Sequence, residues 1–150
     1  MDIEQYYDKI YRYIYFKVNN RALAEDLTQE TFLRFINTES KEPERYLYTI
    51  AKNLCIDHYR KNKASELDID EVEVGESGFE AELIERVDLR NALQSLDEEE
   101  RELLILRFVN EEPLDEICKL MKISRFAIYR RIKAAKELLK ARLERRSDER

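Results

Sequence analysis

From Ile123 to Lys140 the sequence reads ISRFAIYRRIKAAKELLK, with six Lys/Arg and one Glu after its first two residues. At about 100° per residue, Arg125, Tyr129, Lys133, Lys136 and Lys140 fall on one side of a helix, flanked by Phe126 and Arg130. Ile128, Ile132, Ala135 and Leu139 fall on another. Cations beside rings can hold phosphates and touch bases, or coat an anionic membrane surface. Covalent chemistry has little to work with. The chain holds one histidine and two cysteines, and Cys55 and Cys118 have no Cys or His at ligand spacing. A zinc site, a disulfide and an enzyme are therefore not expected, and no cofactor is implied.

A second set of such groups lies in PERYLYTIAKNLCIDHYRKNK, Pro43–Lys63. Leu47, Ile50, Ala51 and Leu54 make an apolar stripe, on which His58 reads as a packed or rim residue. Thr49, Lys52, Asn53, Ile56, Tyr59 and Arg60 take the other face, with Tyr46 at its edge. Basic, amide and aromatic groups interleaved in this way suit unstacked nucleic acid, with a solvated charged face as the rival reading. A third set is acidic. In RALAEDLTQETFLRFI, Arg21–Ile36, the expected core face is Ala24, Leu27, Thr31 and Phe35. Asp26, Gln29, Glu30 and Leu33 oppose it at i, i+3, i+4 and i+7. A leucine among acids on an exposed face suggests a docking surface.

The elements that must carry these groups are helices. Two Gly, two Pro and 40% charged residues in 150 leave few turn formers. No apolar window of membrane-spanning length and no signal pattern is present, which reads as cytoplasmic. Charge divides the chain. Ser65–Asp88 holds one basic residue against ten acidic ones, and both glycines lie there, whereas the flanks are nearly balanced. The expected fold is all-α: a helical domain over residues 1–64, a flexible acidic linker over 65–79, and a second helical domain over 80–150. The first domain reads as three helices, beginning with the tyrosine-rich Ile3–Val18. The second reads as four, near 80–95, 97–109, 113–121 and 124–146. Its last two have helix-turn-helix proportions: Pro113 at a first helical position, Ile117 and Leu120 inward, Ile123 in the turn and Ser124 as cap.

These stretches resemble a known family. AEDLTQETFLRF, YLYTIAKNLCIDHYRK and LDEEERELLILRF followed by LDEICKLMKISRFAIYRRIKAAKELL, in this order around an acidic linker, are similar to the extracytoplasmic-function (ECF) sigma factors of bacteria. Asp26, Leu27, Gln29, Glu30 and Phe32 match one family segment. Tyr46, Leu47, Ile50, Ala51, Asn53, Asp57 and Arg60 match another.

The resemblance implies an initiation factor whose partners are core RNA polymerase and promoter DNA. Asp26, Gln29, Glu30 and Leu33 would then dock on polymerase. Tyr46, Thr49, Lys52, Asn53, Tyr59 and Arg60 would serve the −10 element and its melting, together with the loop Asn37–Glu42. Ser124, Arg125, Phe126, Tyr129, Arg130, Arg131, Lys133 and Lys136 would meet the −35 element. The second domain would also grip the polymerase flap through an apolar groove. Whether an anti-sigma factor sequesters the chain stays open.

The sequence departs from the family where glycine is common, at Lys122 in the helix-turn-helix turn and at Glu111 before Pro113. A lysine in a left-handed position costs about 1–2 kcal/mol, so a reshaped turn is expected. The recognition helix begins Arg125, Phe126, Ala127 instead of small residues and a threonine, implying an atypical −35 preference. Two other readings use the same residues: a polymerase-independent helix-turn-helix repressor or activator, and a helical protein-binding adaptor.

Overall fold

In a computed structural model, residues 3–61, 91–94 and 96–148 are described. Every regular element among them is helical. The chain divides into two compact units, Met1–Asp70 and Glu71–Arg150. The stretch read as a linker, 65–79, lies outside the described residues, as do residues 80–90 of the helix expected near 80–95.

The first unit packs α1 (Ile3–Val18), α2 (Arg21–Ile36) and α3 (Pro43–Lys61) against one another. One asparagine ends α1 and the next starts α2. Asn19 turns left-handed at φ 56°, and its N–H donates to the Tyr15 carbonyl at 2.8 Å. Asparagine is among the few residues that tolerate this conformation. The Asn20 Oδ1 then accepts from the Leu23 N–H at 2.9 Å, satisfying one open donor of α2. Ile10, Tyr13, Ile14, Leu47, Ile50, Ala51 and Leu54 are buried between the helices. Edge-on contact of the Tyr13 and Tyr48 rings, with centroids 5.1 Å apart, joins α1 to α3. An ion pair from Lys9 Nζ to Glu44 Oε1, at 2.6 Å, joins the same helices near the start of α3.

The buried stripe of α2 differs from the expected one. Ala24, Thr28, Thr31 and Phe35 are buried, while Leu27 is only half-buried. The hydroxyls explain the difference. Thr28 Oγ1 donates to the Ala24 carbonyl at 2.6 Å and Thr31 Oγ1 to the Leu27 carbonyl at 2.7 Å. Each threonine satisfies its own polar group within the helix and presents a methyl to the core.

In the second unit, residues 91–94 are helical and α4 comes next at Glu98–Leu104. Asp97 and Glu100 cap α4 reciprocally: the Glu100 N–H donates to Asp97 Oδ1 at 2.8 Å, and the Asp97 N–H to Glu100 Oε1 at 3.3 Å. The helix widens into a π-helical turn over Ile105–Val109, where the Asn110 N–H reaches the Ile105 carbonyl at 3.0 Å. Then come α5 (Leu114–Met121) and α6 (Arg125–Asp148). Leu93, Leu103, Leu104, Ile105, Leu106, Ile117, Ile128 and Ala135 are buried in this unit. Pro113 lies one residue earlier than expected. Its ψ of 149° is extended, so it precedes α5.

The turn between α5 and α6 keeps a left-handed residue despite its side chain. Lys122 has φ 57° and ψ 43°, and its N–H caps α5 on the Cys118 carbonyl. Glu111, the other position where glycine was noted as usual, is also left-handed at φ 54°. The expected reshaping does not occur. Burial of Ile117 and Ile128 on the two flanking helices outweighs a backbone cost of about 1–2 kcal/mol. Lys122→Gly is therefore expected to stabilise the second unit by about 0.5–1 kcal/mol, once the extra chain entropy of glycine is subtracted. Denaturant unfolding of the full chain, read on that unit, measures the gain.

Candidate nucleic-acid interface

Residues with the potential to bind nucleic acid stand on α3 and α6. On α6 the sequence sets the starting phase. Ser124 Oγ accepts from the Ala127 N–H at 3.2 Å, so the helix opens at Arg125 with its first turn capped. Ile128 and Ala135 point into the unit, with Ile132 and Leu139 half-buried. Ser124, Arg125, Phe126, Tyr129, Arg130, Arg131, Lys133 and Lys136 are all exposed or partly so, and Phe126 is 73% and Tyr129 55% exposed, high values for such large apolar groups. The cations differ in what they touch. Arg125 pairs with Asp115 of α5 at 2.8 Å, and Arg131 with Glu99 of α4 at 3.0 Å. The Arg130 guanidinium lies 5.1 Å from the centre of the Phe126 ring, and Lys136 Nζ 5.4 Å from that of Phe108.

The outer face of α3 is less uniform. Thr49, Asn53 and Arg60 are exposed and Lys52 is half-buried. Thr49 Oγ1 donates to the Arg45 carbonyl at 3.0 Å. The two tyrosines are tied into the unit. Tyr46 lies against Phe35 of α2, with centroids 6.3 Å apart. The Tyr59 hydroxyl donates to the Lys17 carbonyl near the end of α1 at 2.7 Å. Tyr59 therefore braces α3 on α1 through its hydroxyl, whereas sequence reading gave its ring to a base. That bond spans 42 residues and has no local signature.

On α2, Asp26, Gln29 and Leu33 are exposed, and the half-buried Glu30 pairs with Arg34 at 3.0 Å. Leu33 is 57% exposed and Ile36, three residues further on, 67%. Sequence reading missed Ile36, although the same i, i+3 step that selected Leu33 reaches it. It also missed Phe108. This half-exposed ring borders an open recess of about 500 Å³ that Leu139 and Leu143 also line, with the stems of Lys133, Lys136 and Lys140. No group of residues able to hold a metal ion, and no helix long and apolar enough to cross a membrane, occurs among the described residues.

Residues 3–65 match the Sigma-70 region 2 family model, and residues 86–139 match that of Sigma-70 region 4. The ECF RNA polymerase sigma factor SigM of Bacillus subtilis is 30% identical, over 92% of this chain and 90% of SigM. The chain belongs to the ECF sigma factors. BldN of Streptomyces coelicolor, another ECF RNA polymerase sigma factor, is 32% identical over 91% of this chain, which spans 58% of the length of BldN. The sigma factor RpoE of Bartonella quintana, solved with the anti-sigma factor NepR, shares the fold. Its TM-score is 0.69 at 18% identity, over 95% of this chain and 94% of RpoE.

Within this sigma factor, α1, α2 and α3 thus lie in region 2, and α4, α5 and all but the end of α6 in region 4. The Tyr59 bond has a measurable weight in region 2. Tyr59→Phe is expected to lower the stability of the first unit by about 1 kcal/mol, because the Lys17 carbonyl loses a half-buried donor. Thermal unfolding of the full chain checks this. A stability equal to that of the parent would show that the hydroxyl is available for other work.

Proposed function

We propose that this chain binds core RNA polymerase and directs promoter-specific transcription initiation. It works in the cytoplasm and has no catalytic chemistry of its own. The observation that carries the reading is the outer face of α2. Leu33 and Ile36 stand more than half exposed beside Asp26 and Gln29, in a chain whose relatives are RNA polymerase sigma factors. Two branched aliphatics exposed one turn apart, on a helix that already has a buried stripe, make an apolar patch that a partner would cover. Polymerase docks there, with Glu30 on the same face.

The DNA contacts divide between the units. In the first, Asn53 offers a donor and an acceptor to an unpaired −10 base, while Lys52 and Arg60 serve phosphates. Thr49 lines the same face, and Tyr46 and Tyr59 hold its edges rigid through Phe35 and Lys17. The exposed loop Asn37–Glu42 lies next to it in sequence. In the second unit, α6 enters the major groove of the −35 element. Arg125, Phe126, Tyr129 and Arg130 lie near base edges, and Arg131, Lys133 and Lys136 neutralise phosphates. Ser124 fixes where the helix begins. The apolar recess beside Phe108 receives the polymerase flap.

Two measurements test this. The double variant Gln29→Ala/Glu30→Ala will melt within a few degrees of the parent, since Gln29 is exposed and the Glu30–Arg34 pair it removes is largely solvated. Its affinity for core polymerase will fall by about tenfold, a typical loss when interface contacts are truncated. An unchanged affinity would remove α2 from the interface. For the first-unit DNA face, Asn53→Ala will leave closed-complex binding within about twofold while lowering the open-complex fraction several-fold, as loss of about 1 kcal/mol of strand holding requires. Permanganate reactivity of unpaired thymines, on a linear and then a pre-melted promoter, reads the difference. If the variant opens the linear promoter as well as the parent does, strand holding belongs to the Asn37–Glu42 loop.

A further inference from the structure

We infer that Phe126 and Arg130 form one composite base reader, in which the Phe126 ring meets the C5-methyl of a thymine and its face aims the Arg130 guanidinium at an adjacent guanine. This rests on the reading of α6 as the −35 helix and goes beyond it by naming the bases.

Three observations converge on the pair. The first is position. With Ser124 as the cap, Phe126 and Arg130 stand at the second and sixth positions of α6, one helical turn apart on one face. Side chains near the start of a recognition helix are the ones that reach base edges. The second is exposure. At 73%, Phe126 has the highest exposure among the large apolar side chains of the described residues. Its own unit makes little use of the ring, whereas a thymine methyl in the major groove is an apolar target of matching kind. The third is what each arginine touches. Arg125 and Arg131 are each paired with a carboxylate, Asp115 and Glu99. Arg130 instead lies against a ring, at 5.1 Å.

A guanidinium on an aromatic face keeps its N–H groups in its plane, and they stay available at the rim. Stacking reduces the rotamers Arg130 must give up when it binds the O6 and N7 of guanine, the bidentate contact that an arginine fork fits. The ring thus has two separable jobs: it touches a methyl, and it holds a cation. Tyr129 stands between the two in sequence and is also exposed, but its hydroxyl end suits a polar or phosphate contact better than a methyl.

The test uses holoenzyme assembled from the full chain and core RNA polymerase. Selection from promoters with a randomised −35 element identifies the preferred sequence. Its thymines are then replaced one at a time by deoxyuridine, which lacks the methyl, and its guanines by 7-deazaguanine, which lacks N7. For the parent, one deoxyuridine will weaken promoter binding about fourfold, the equivalent of about 0.8 kcal/mol for one methyl. One neighbouring 7-deazaguanine will weaken it about tenfold, within the range for a lost bidentate contact. Phe126→Ala will lose the deoxyuridine effect and most of the 7-deazaguanine effect. Phe126→Leu, apolar but without a ring face, will keep the first effect and lose most of the second. Arg130→Ala will lose only the second. Two results overturn the inference. If the holoenzyme selects a −35 sequence but its base-analogue penalties are the same in parent and Phe126→Ala, the composite reader is wrong and the −35 reading stands. If the parent selects no −35 sequence, the −35 reading falls and the composite reader falls with it.

Discussion

A unit of three or four short helices can bury only one stripe of each helix, and that limit governs every other feature of this molecule. In the first unit the stripes of α1, α2 and α3 close on one another through Ile10, Ile14, Leu47, Ala51 and the Tyr13–Tyr48 contact. The remaining faces of α2 and α3 must then meet water or a partner. In the second unit Ile117 and Ile128 hold α5 and α6 together across a turn that has an unfavourable residue in it. Exposed faces are what burial leaves over, and their phase on each helix is set by the core opposite them.

This is also why much of the architecture was legible in the sequence. The apolar spacing of α3, the proline at its start and the Ser124 cap are local signals, and the helices fall where those signals place them. Where the reading missed, a competing bond decided. Hydropathy selected Leu27 for the core, but Thr28 took the place by bonding its hydroxyl to its own helix. The lysine at 122 suggested a reshaped turn, but the helix packing on either side imposed the left-handed backbone. The exposure of the α6 cations came from period alone. Tyr59 was legible as a residue on a polar face, but not as a brace, because its partner lies two helices away along the chain.

Electrostatics in the second unit is organised so that it can be exchanged. The pairs Arg125–Asp115 and Arg131–Glu99 lie on the surface, where such bonds contribute about 0–1 kcal/mol. A phosphate can replace either carboxylate at little cost. Meanwhile the chain as a whole carries a net charge of −6, which disfavours indiscriminate adsorption to DNA. On the function proposed, firm engagement depends on a polymerase that holds both units at once, since tethering raises the effective concentration of each for its own element.

The π-helical turn at Ile105–Val109 bears on how this protein can change over time. This turn closes the helix that starts at Glu98, and it accommodates one residue more than an α-helical turn would. That extra residue lets Ile105 and Leu106 both stay buried while Phe108 comes to the surface beside Lys136. A single deletion in this stretch would remove the extra residue, close the turn to α winding and change which side chain stands at the surface in place of Phe108. The inherited outcome would be a different lip on the recess, reached without any substitution. Insertions and deletions, usually confined to loops, thus have a foothold here in the last turn of a helix. Lineages that differ by one residue at this turn would present different surfaces from nearly identical sequences.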